Sequence, residues 1–175
     1  MKILILGSGG REHAFAWKIS QSILCSELFI APGNAGTSEF GENISLNIKD
    51  FLAIKDFCLD KNIEMVVVGP EEPLVNGIFD FFKNDPELMH IVITGPSKAG
   101  AQMEGSKAFA KSFMKKNGIP TATYGEFTSA NFEDGLHYIQ HHSLPRLLKA
   151  DGLAAGKGVL ICHNHVEALG EFELM

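Results

Sequence analysis

Residues 1–94 predict an α/β fold built on a parallel, doubly wound sheet, and three features carry that prediction. Short apolar runs recur along the chain, KILIL at 2–6, LFIA at 28–31, EMVVV at 64–68 and IVIT at 91–94, with helical segments between them. The first run is apolar without alternation, as a strand covered on both faces must be. Glycine-rich turns follow the strands, GSGG at 7–10, PGNAG at 32–36 and GPEEP at 69–73, on the edge where parallel sheets receive ligands.

Taken in order, the strand at 2–6 runs through its glycine turn into a helix from Arg11 to about Ile23. The second strand, 28–31, ends in the loop 32–36. A helix near 50–61 follows, with Phe51, Ile54 and Cys58 at helical spacing, and then the strand at 64–68. Leu74, Ile78, Phe81 and Phe82 mark one further helix, which Asp85-Pro86 stops, and the strand 91–94 closes at Gly95-Pro96. After about residue 100 the pattern changes. Gly105-Ser106-Lys107 opens a helix that runs to about Asn117 and is closed by Gly118. A strand over ATYGEF (122–127) is expected next, and then a helix near 130–141. Two strands, LPRLL and VLIC, flank the loop KADGLAAGKG (149–158), and a last helix starts near His165. The boundaries that follow are 1–100 for the first domain and 101–175 for the start of a second.

At 175 residues the chain has room for one α/β domain, or a small domain and part of another. A net charge of −6 without a basic face argues against nucleic acid as a partner. Cys25, Cys58 and Cys162 are far apart and form no CxxC pair, as expected of small buried side chains in a reducing compartment. The N-terminal apolar run is too short for a signal peptide, and no run approaches the roughly 20 apolar residues of a membrane span. A cytoplasmic chain with no membrane partner is the expectation.

GSGGREHA (7–14) leads a buried strand into a helix N-terminus, where free N–H groups and the helix dipole attract anions. A dinucleotide turn wants a third glycine where Glu12 stands, and an acid at the end of the second strand, which here is Ala31-Pro32-Gly33. A phosphate-bearing ligand fits better, with a ligand-free strand–helix turn as the alternative. Asn34 and Glu71 occupy loops on the same edge. They are candidates for sugar hydroxyls or an amine, or simply satisfied turn residues. KADGLAAGKG is no Walker A loop, since three residues separate Gly152 from Gly156 and a β-branched strand follows. A glycine loop between two strands instead suits a flap over a triphosphate. Lys107 sits in the first turn of its helix, where a cation opposes the dipole unless an anion is shared. Lys111 and Lys115 are expected on a solvated face, opposite Phe109, Phe113 and Met114. His141-His142, His163 and His165 form no metal set, and His13 reads as structural.

The blocks GSGGREHA (7–14), APGNAG (31–36), VVGPEEPLVNG (67–77), GPSKAGAQMEGSKAFAKSFMKKNGIPTATY (95–124) and KADGLAAGKGV (149–159) resemble, in this order, the glycinamide ribonucleotide synthetase (phosphoribosylamine–glycine ligase) family of ATP-grasp enzymes. The match covers essentially the whole chain. It implies a Rossmann-like, pre-ATP-grasp first domain, followed by the incomplete start of an ATP-grasp domain. It also implies purine biosynthesis, with ATP phosphorylating the carboxylate of glycine and the amine of 5-phosphoribosylamine attacking the acyl phosphate. By position, Gly9, Gly10 and Arg11 are implied at the ribose phosphate, and Asn34, Gly36, Pro70 and Glu71 near the sugar. Lys107 and Lys149 are implied at ATP phosphates, with Gly152, Gly156, Lys157 and Gly158 in the flap. Family members are more than twice as long, and their adenine-reading hinge, glycine site and ligands for Mg²⁺ or Mn²⁺ are expected beyond this sequence. No residue here is assigned to metal. The expectation is a fragment that does not catalyse ligation alone, with a less stable second part whose apolar faces favour self-association. Two rivals stay open: a dinucleotide module of the dehydrogenase kind, and a non-catalytic sugar-phosphate-binding protein.

Overall fold

The computed structural model describes residues 1–144, 146–153 and 158–175. They form two compact units, Met1–Gln102 and Met103–Met175.

The first unit is built on strands β1 (Lys2–Gly7), β2 (Glu27–Pro32), β3 (Glu42–Asn43), β4 (Met65–Val68) and β5 (Val92–Thr94). Their order in the sheet is β3-β2-β1-β4-β5, and every pairing is parallel. Helix α1 (Gly10–Ser20) joins β1 to β2, α2 (Phe51–Lys61) leads into β4, and α3 (Glu71–Asn76) with α4 (Ile78–Asn84) leads to β5. The order reverses between β1 and β4, the switch point at which open parallel sheets bind ligands. Leu6 pairs with Val68 there, so the turns that begin at Gly7 and Gly69 emerge side by side.

Alternation along β1 builds the core on both faces. Leu4 and Leu6 join Phe29, Ala31, Val66 and Val68 against Ile54 and Cys58 of α2 and Ile78 and Phe82 of α4. Ile3 and Ile5 join Leu28 and Ile30 on the other face, against Ala16 and Ile19 of α1. The continuous apolar reading of 2–6 is thus borne out: Leu4, Ile5 and Leu6 are fully buried.

Several element boundaries differ from expectation. Helix α1 stops at Ser20, and Ile23 lies beyond it in turns, wholly exposed. The single helix expected across 74–82 is two, because Gly77 adopts φ +102° and its N–H caps α3 through the carbonyls of Pro73 and Leu74. Helix α5 (Lys98–Gly105), which the sequence did not reveal, seats Ala101 in the larger core layer.

In the second unit, α6 (Lys107–Lys116) and α7 (Phe132–His141) precede an antiparallel hairpin of β6 (Arg146–Lys149) and β7 (Val159–Cys162), and α8 (His165–Leu174) follows. Ile139, Cys162 and Ala168 form a small core with Leu148, Leu160 and Phe172 around it. No residue of α6 is buried, and Leu147, Val159 and Ile161 are exposed on the hairpin. The strand expected at 122–127 does not form, for no ladder partner lies beside it among the described residues. Lys111 instead donates to Thr121 Oγ1 (2.7 Å) and the Ala122 carbonyl (3.1 Å) and stands 5.2 Å from the Tyr124 ring centre. It is therefore not the free solvated lysine the spacing suggested. Cys58 and Cys162 are buried, and burial pushes the Cys58 thiol up to about 12, leaving it an inert packing group. Among the described residues no helix is long and apolar enough to cross a membrane.

Phe82 is fully buried between α4 and the sheet, so Phe82→Ala should cost about 3–5 kcal/mol in urea unfolding. Ile23→Ser, at a fully exposed site, should stay within about 0.5 kcal/mol of the parent.

Candidate functional site

The turn after β1 is organised by Glu12. Gly9 is the N-cap of α1, and the Glu12 carboxylate bends back to accept its N–H at 2.6 Å. That side chain is 5% exposed. A Cβ at Gly7 would stand 2.6 Å from Glu12 Cδ, one at Gly9 3.0 Å from Oε2, and one at Gly69 2.1 Å from Oε1. These glycines make room for an internal carboxylate. Gly10 is different: nothing lies within 4 Å of where its Cβ would be. As the first residues of α1, Gly10 and Arg11 carry N–H groups with no acceptor inside the helix. The open, donor-bearing part of the turn is therefore Gly10–Arg11.

Arg11 reaches across the switch point. Its Nη1 donates to the Gly69 carbonyl at 2.6 Å and lies 3.7 Å from Glu71 Oε2. Pro70, extended, caps α3, and Glu71 is its first residue. The structure so brings Arg11, Pro70 and Glu71 together at the edge where the sequence placed them. Asn34 is also there, but it builds the loop. Its Oδ1 accepts from the N–H groups of Gly36 (2.8 Å) and Thr37 (3.1 Å), and its Nδ2 donates to the Ser8 carbonyl (2.8 Å). Gly36 leaves room for the His13 ring, which would stand 2.9 Å from a Cβ there and stacks on Phe40. Buried Thr37 donates to the Asn34 carbonyl or to Asn43 Oδ1, at 2.9 and 2.7 Å. Sequence reasoning missed Glu12 and Thr37. The capping-box spacing from Gly9 to Glu12 was the available signal for the first.

In the second unit Asp151 gathers the start of α6 and Gly152 of the flap. Ser106 caps α6 through the Phe109 N–H. Asp151, just after β6, accepts from the N–H groups of Lys107 (2.6 Å) and Ala108 (3.3 Å) and from the Ser106 hydroxyl (3.0 Å). Lys107 Nζ donates to the Gly152 carbonyl at 2.7 Å. The anion that a lysine in a first helical turn calls for is, in this structure, an internal carboxylate. Burial works against charge on Asp151, but hydrogen bonds from Ala108, Ser106, Gly152 and Lys107 outweigh it and hold the carboxyl below its ordinary range. Lys149 is exposed at the end of β6, and the Ala150 N–H donates to the Gly158 carbonyl to extend the hairpin. Gly152 adopts φ +87°. Gly156 and Lys157 lie outside the described residues. Among the described residues, no group of three or more His, Cys, Asp or Glu side chains is placed to hold a metal ion.

A parallel sheet with glycine turns at its switch point precedes, along the chain, a unit whose hairpin strands flank a glycine-rich segment, and two family models match these two parts. Residues 105–174 match the family model described as phosphoribosylglycinamide synthetase, ATP-grasp (A) domain, and residues 1–104 match the N domain of the same synthetase. The chain belongs to the phosphoribosylglycinamide synthetase family. A phosphoribosylamine–glycine ligase of Haemophilus influenzae is 48% identical over 170 residues, which are 96% of this chain and 38% of that protein. The crystal structure of phosphoribosylamine–glycine ligase from Thermotoga maritima superposes with a TM-score of 0.71 at 35% identity, covering 98% of this chain and 38% of that one. N5-carboxyaminoimidazole ribonucleotide synthetase of Thermus thermophilus shares the fold, with a TM-score of 0.70 at 19% identity over 99% of this chain and 44% of that one. The chain thus spans 38% of the length of the ligases it matches.

Gly69→Ala should displace Glu12 and lower stability by about 1–3 kcal/mol, measured by urea unfolding. Asp151 has a folded pKa below its unfolded value, so its contribution is complete above roughly pH 4 and is lost as pH falls through the folded pKa. The urea midpoints of the parent and Asp151→Asn should accordingly differ most at pH 6 and draw closer as the pH falls below roughly 4.

Proposed function

We propose that this chain is the substrate-phosphate portion, with the start of the nucleotide portion, of a phosphoribosylamine–glycine ligase. In that reaction ATP transfers its terminal phosphoryl group to the carboxylate of glycine. The amine of 5-phosphoribosylamine then attacks the acyl carbon, its nitrogen losing a proton, and inorganic phosphate leaves, giving glycinamide ribonucleotide. The observation that carries the reading is the open start of α1: Gly10 and Arg11 present free N–H groups beside the Arg11 guanidinium, at the switch point of the sheet. A ribose phosphate held there leaves its sugar near Glu71, whose carboxylate accepts hydroxyl or amine protons. Asn34 serves by holding the loop in place over Ser8, and Gly36 and Pro70 shape that loop and the start of α3.

For ATP, Lys107 and Lys149 are the described cations of the second unit that suit phosphate oxygens, with Gly152 and Gly158 at the two roots of the flap. Oriented cations and N–H groups offset the charge that develops as a phosphoryl group moves. The described residues offer no ligand set for Mg²⁺ or Mn²⁺. We read the 175-residue chain as inactive alone, since it spans 38% of its relatives' length. ADP release by this chain that depends on both glycine and phosphoribosylamine would overturn that reading.

Calorimetry with ribose 5-phosphate tests the phosphate site. Gly10→Ala meets no protein atom and should leave the melting temperature unchanged within a few degrees, yet weaken ribose 5-phosphate at least about tenfold. Arg11→Met should weaken it similarly and reduce its salt dependence. Equal affinity in both variants and the parent would remove the site from Gly10–Arg11.

A further inference from the structure

In the chain His141 stands beside His142, but in α7 its neighbour is His137, one turn back. The rings of His137 and His141 are stacked, 4.1 Å apart between centres and inclined by 29°. His142 leaves this strip and stacks on Tyr138 at 4.0 Å. Both His137 and His141 are exposed, on the side of α7 opposite Ile139, which enters the small core of the second unit.

A hydrogen bond fixes which nitrogen of His141 is available. Its Nδ1 lies 2.8 Å from the His137 carbonyl. A carbonyl only accepts, so Nδ1 carries the proton, and in the neutral ring Nε2 keeps its lone pair. A ring N–H on a backbone carbonyl is also the contact that orients histidines bound to metals. Among the hydrogen bonds and ion pairs of the described residues, Nε2 of neither ring takes a partner. Two nitrogens bound to one ion at about 2.1 Å lie roughly 3 Å apart. Rings already 4.1 Å apart reach that separation with a small turn of each side chain.

We propose that His137 and His141 form a two-point site for a divalent transition-metal ion of the Ni²⁺, Cu²⁺ or Zn²⁺ kind, held by Nε2 of His141 and a ring nitrogen of His137. Paired imidazoles four residues apart on one helix face suit such borderline ions. They do not suit Mg²⁺, which prefers oxygen, so this site is chemically distinct from one that would serve ATP. No third His, Cys, Asp or Glu joins the pair among the described residues, and water completes the coordination. Because the ion links residues one turn apart, it binds folded α7 and clamps the end of the helix that holds Ile139 in its core.

Calorimetric titration of the untagged 175-residue chain with Ni²⁺, and with Mg²⁺ in a separate arm, tests the site. His137→Gln and His141→Gln should each weaken Ni²⁺ at least about tenfold, since glutamine keeps the helix but breaks the chelate. The double variant should lose little more than either single one, because one missing imidazole already removes the two-point grip. His142→Gln should stay within about threefold of the parent, and Mg²⁺ should not displace Ni²⁺. Saturating Ni²⁺ should raise the melting temperature of the parent but not that of His137→Gln or His141→Gln. Folded single variants that bind Ni²⁺ within threefold of the parent would overturn the proposal, the ion then being held elsewhere. A His142→Gln loss equal to that of His141→Gln would overturn it in favour of the tandem pair. A parent chain that takes up none of Ni²⁺, Cu²⁺ and Zn²⁺ at millimolar concentration would overturn it without any variant.

Discussion

The hydrogen bond from the Gly9 N–H to the buried carboxylate of Glu12 is the constraint on which the first unit's ligand edge depends. It requires glycine at Gly7, which ends β1, and at Gly69, which directly follows the adjacent strand β4. A carboxylate in that position ties the geometry of one turn to the other, because any side chain added to either would meet it. Arg11 makes the second tie, from its guanidinium to the Gly69 carbonyl. The parallel register of β1 and β4 brings the turns level, and these two side chains fix how they meet. What is left uncommitted is small and specific: the start of α1 at Gly10 and Arg11.

The two helices that open on glycine-rich segments treat their N-termini differently. In α1 the carboxylate comes from the helix itself, satisfies the cap residue, and leaves the next N–H groups without an intrahelical acceptor. In α6 it comes from Asp151, some forty residues along the chain, and takes the N–H groups of Lys107 and Ala108 directly. A carboxylate shared by two N–H groups and a hydroxyl fills the place an external anion would take. Lys107 points its ammonium to the Gly152 carbonyl, so it ties the root of the flap to the helix. A phosphate near α6 must share Lys107 with that carbonyl or displace it. Lys149, exposed on β6, carries no such internal commitment among the hydrogen bonds of the described residues.

Much of the fold was legible in the sequence because the apolar runs at 2–6, 28–31 and 64–68 are buried on two faces and need no partner beyond the next run. The segment at 122–127 misled for the converse reason. Its residues suit a strand, but a strand exists only where another offers a ladder, and Lys111 and Tyr124 organise that segment differently. Helix α5 was hidden because Lys98–Gly105 is poor in large apolar residues, and Ala101 is what it places in the core. At the candidate site, the turns that carry Gly10, Arg11 and Glu71 lie at the switch-point edge expected of them. Glu12 escaped notice because the question put to position 12 was whether it was glycine, and not what a glutamate there would bond.

The glycines of the first unit show why a motif locates a site without explaining it. Gly7 and Gly69 are required by Glu12, Gly36 by the ring of His13, and Gly77 by a left-handed cap between two helices. Each would be demanded by the fold in the absence of any ligand. Gly10 has no such internal reason, since a methyl group there meets no protein atom and alanine is the better helix former. The proposed phosphate site rests on this pairing, a glycine that the structure does not need beside N–H groups that the helix cannot satisfy.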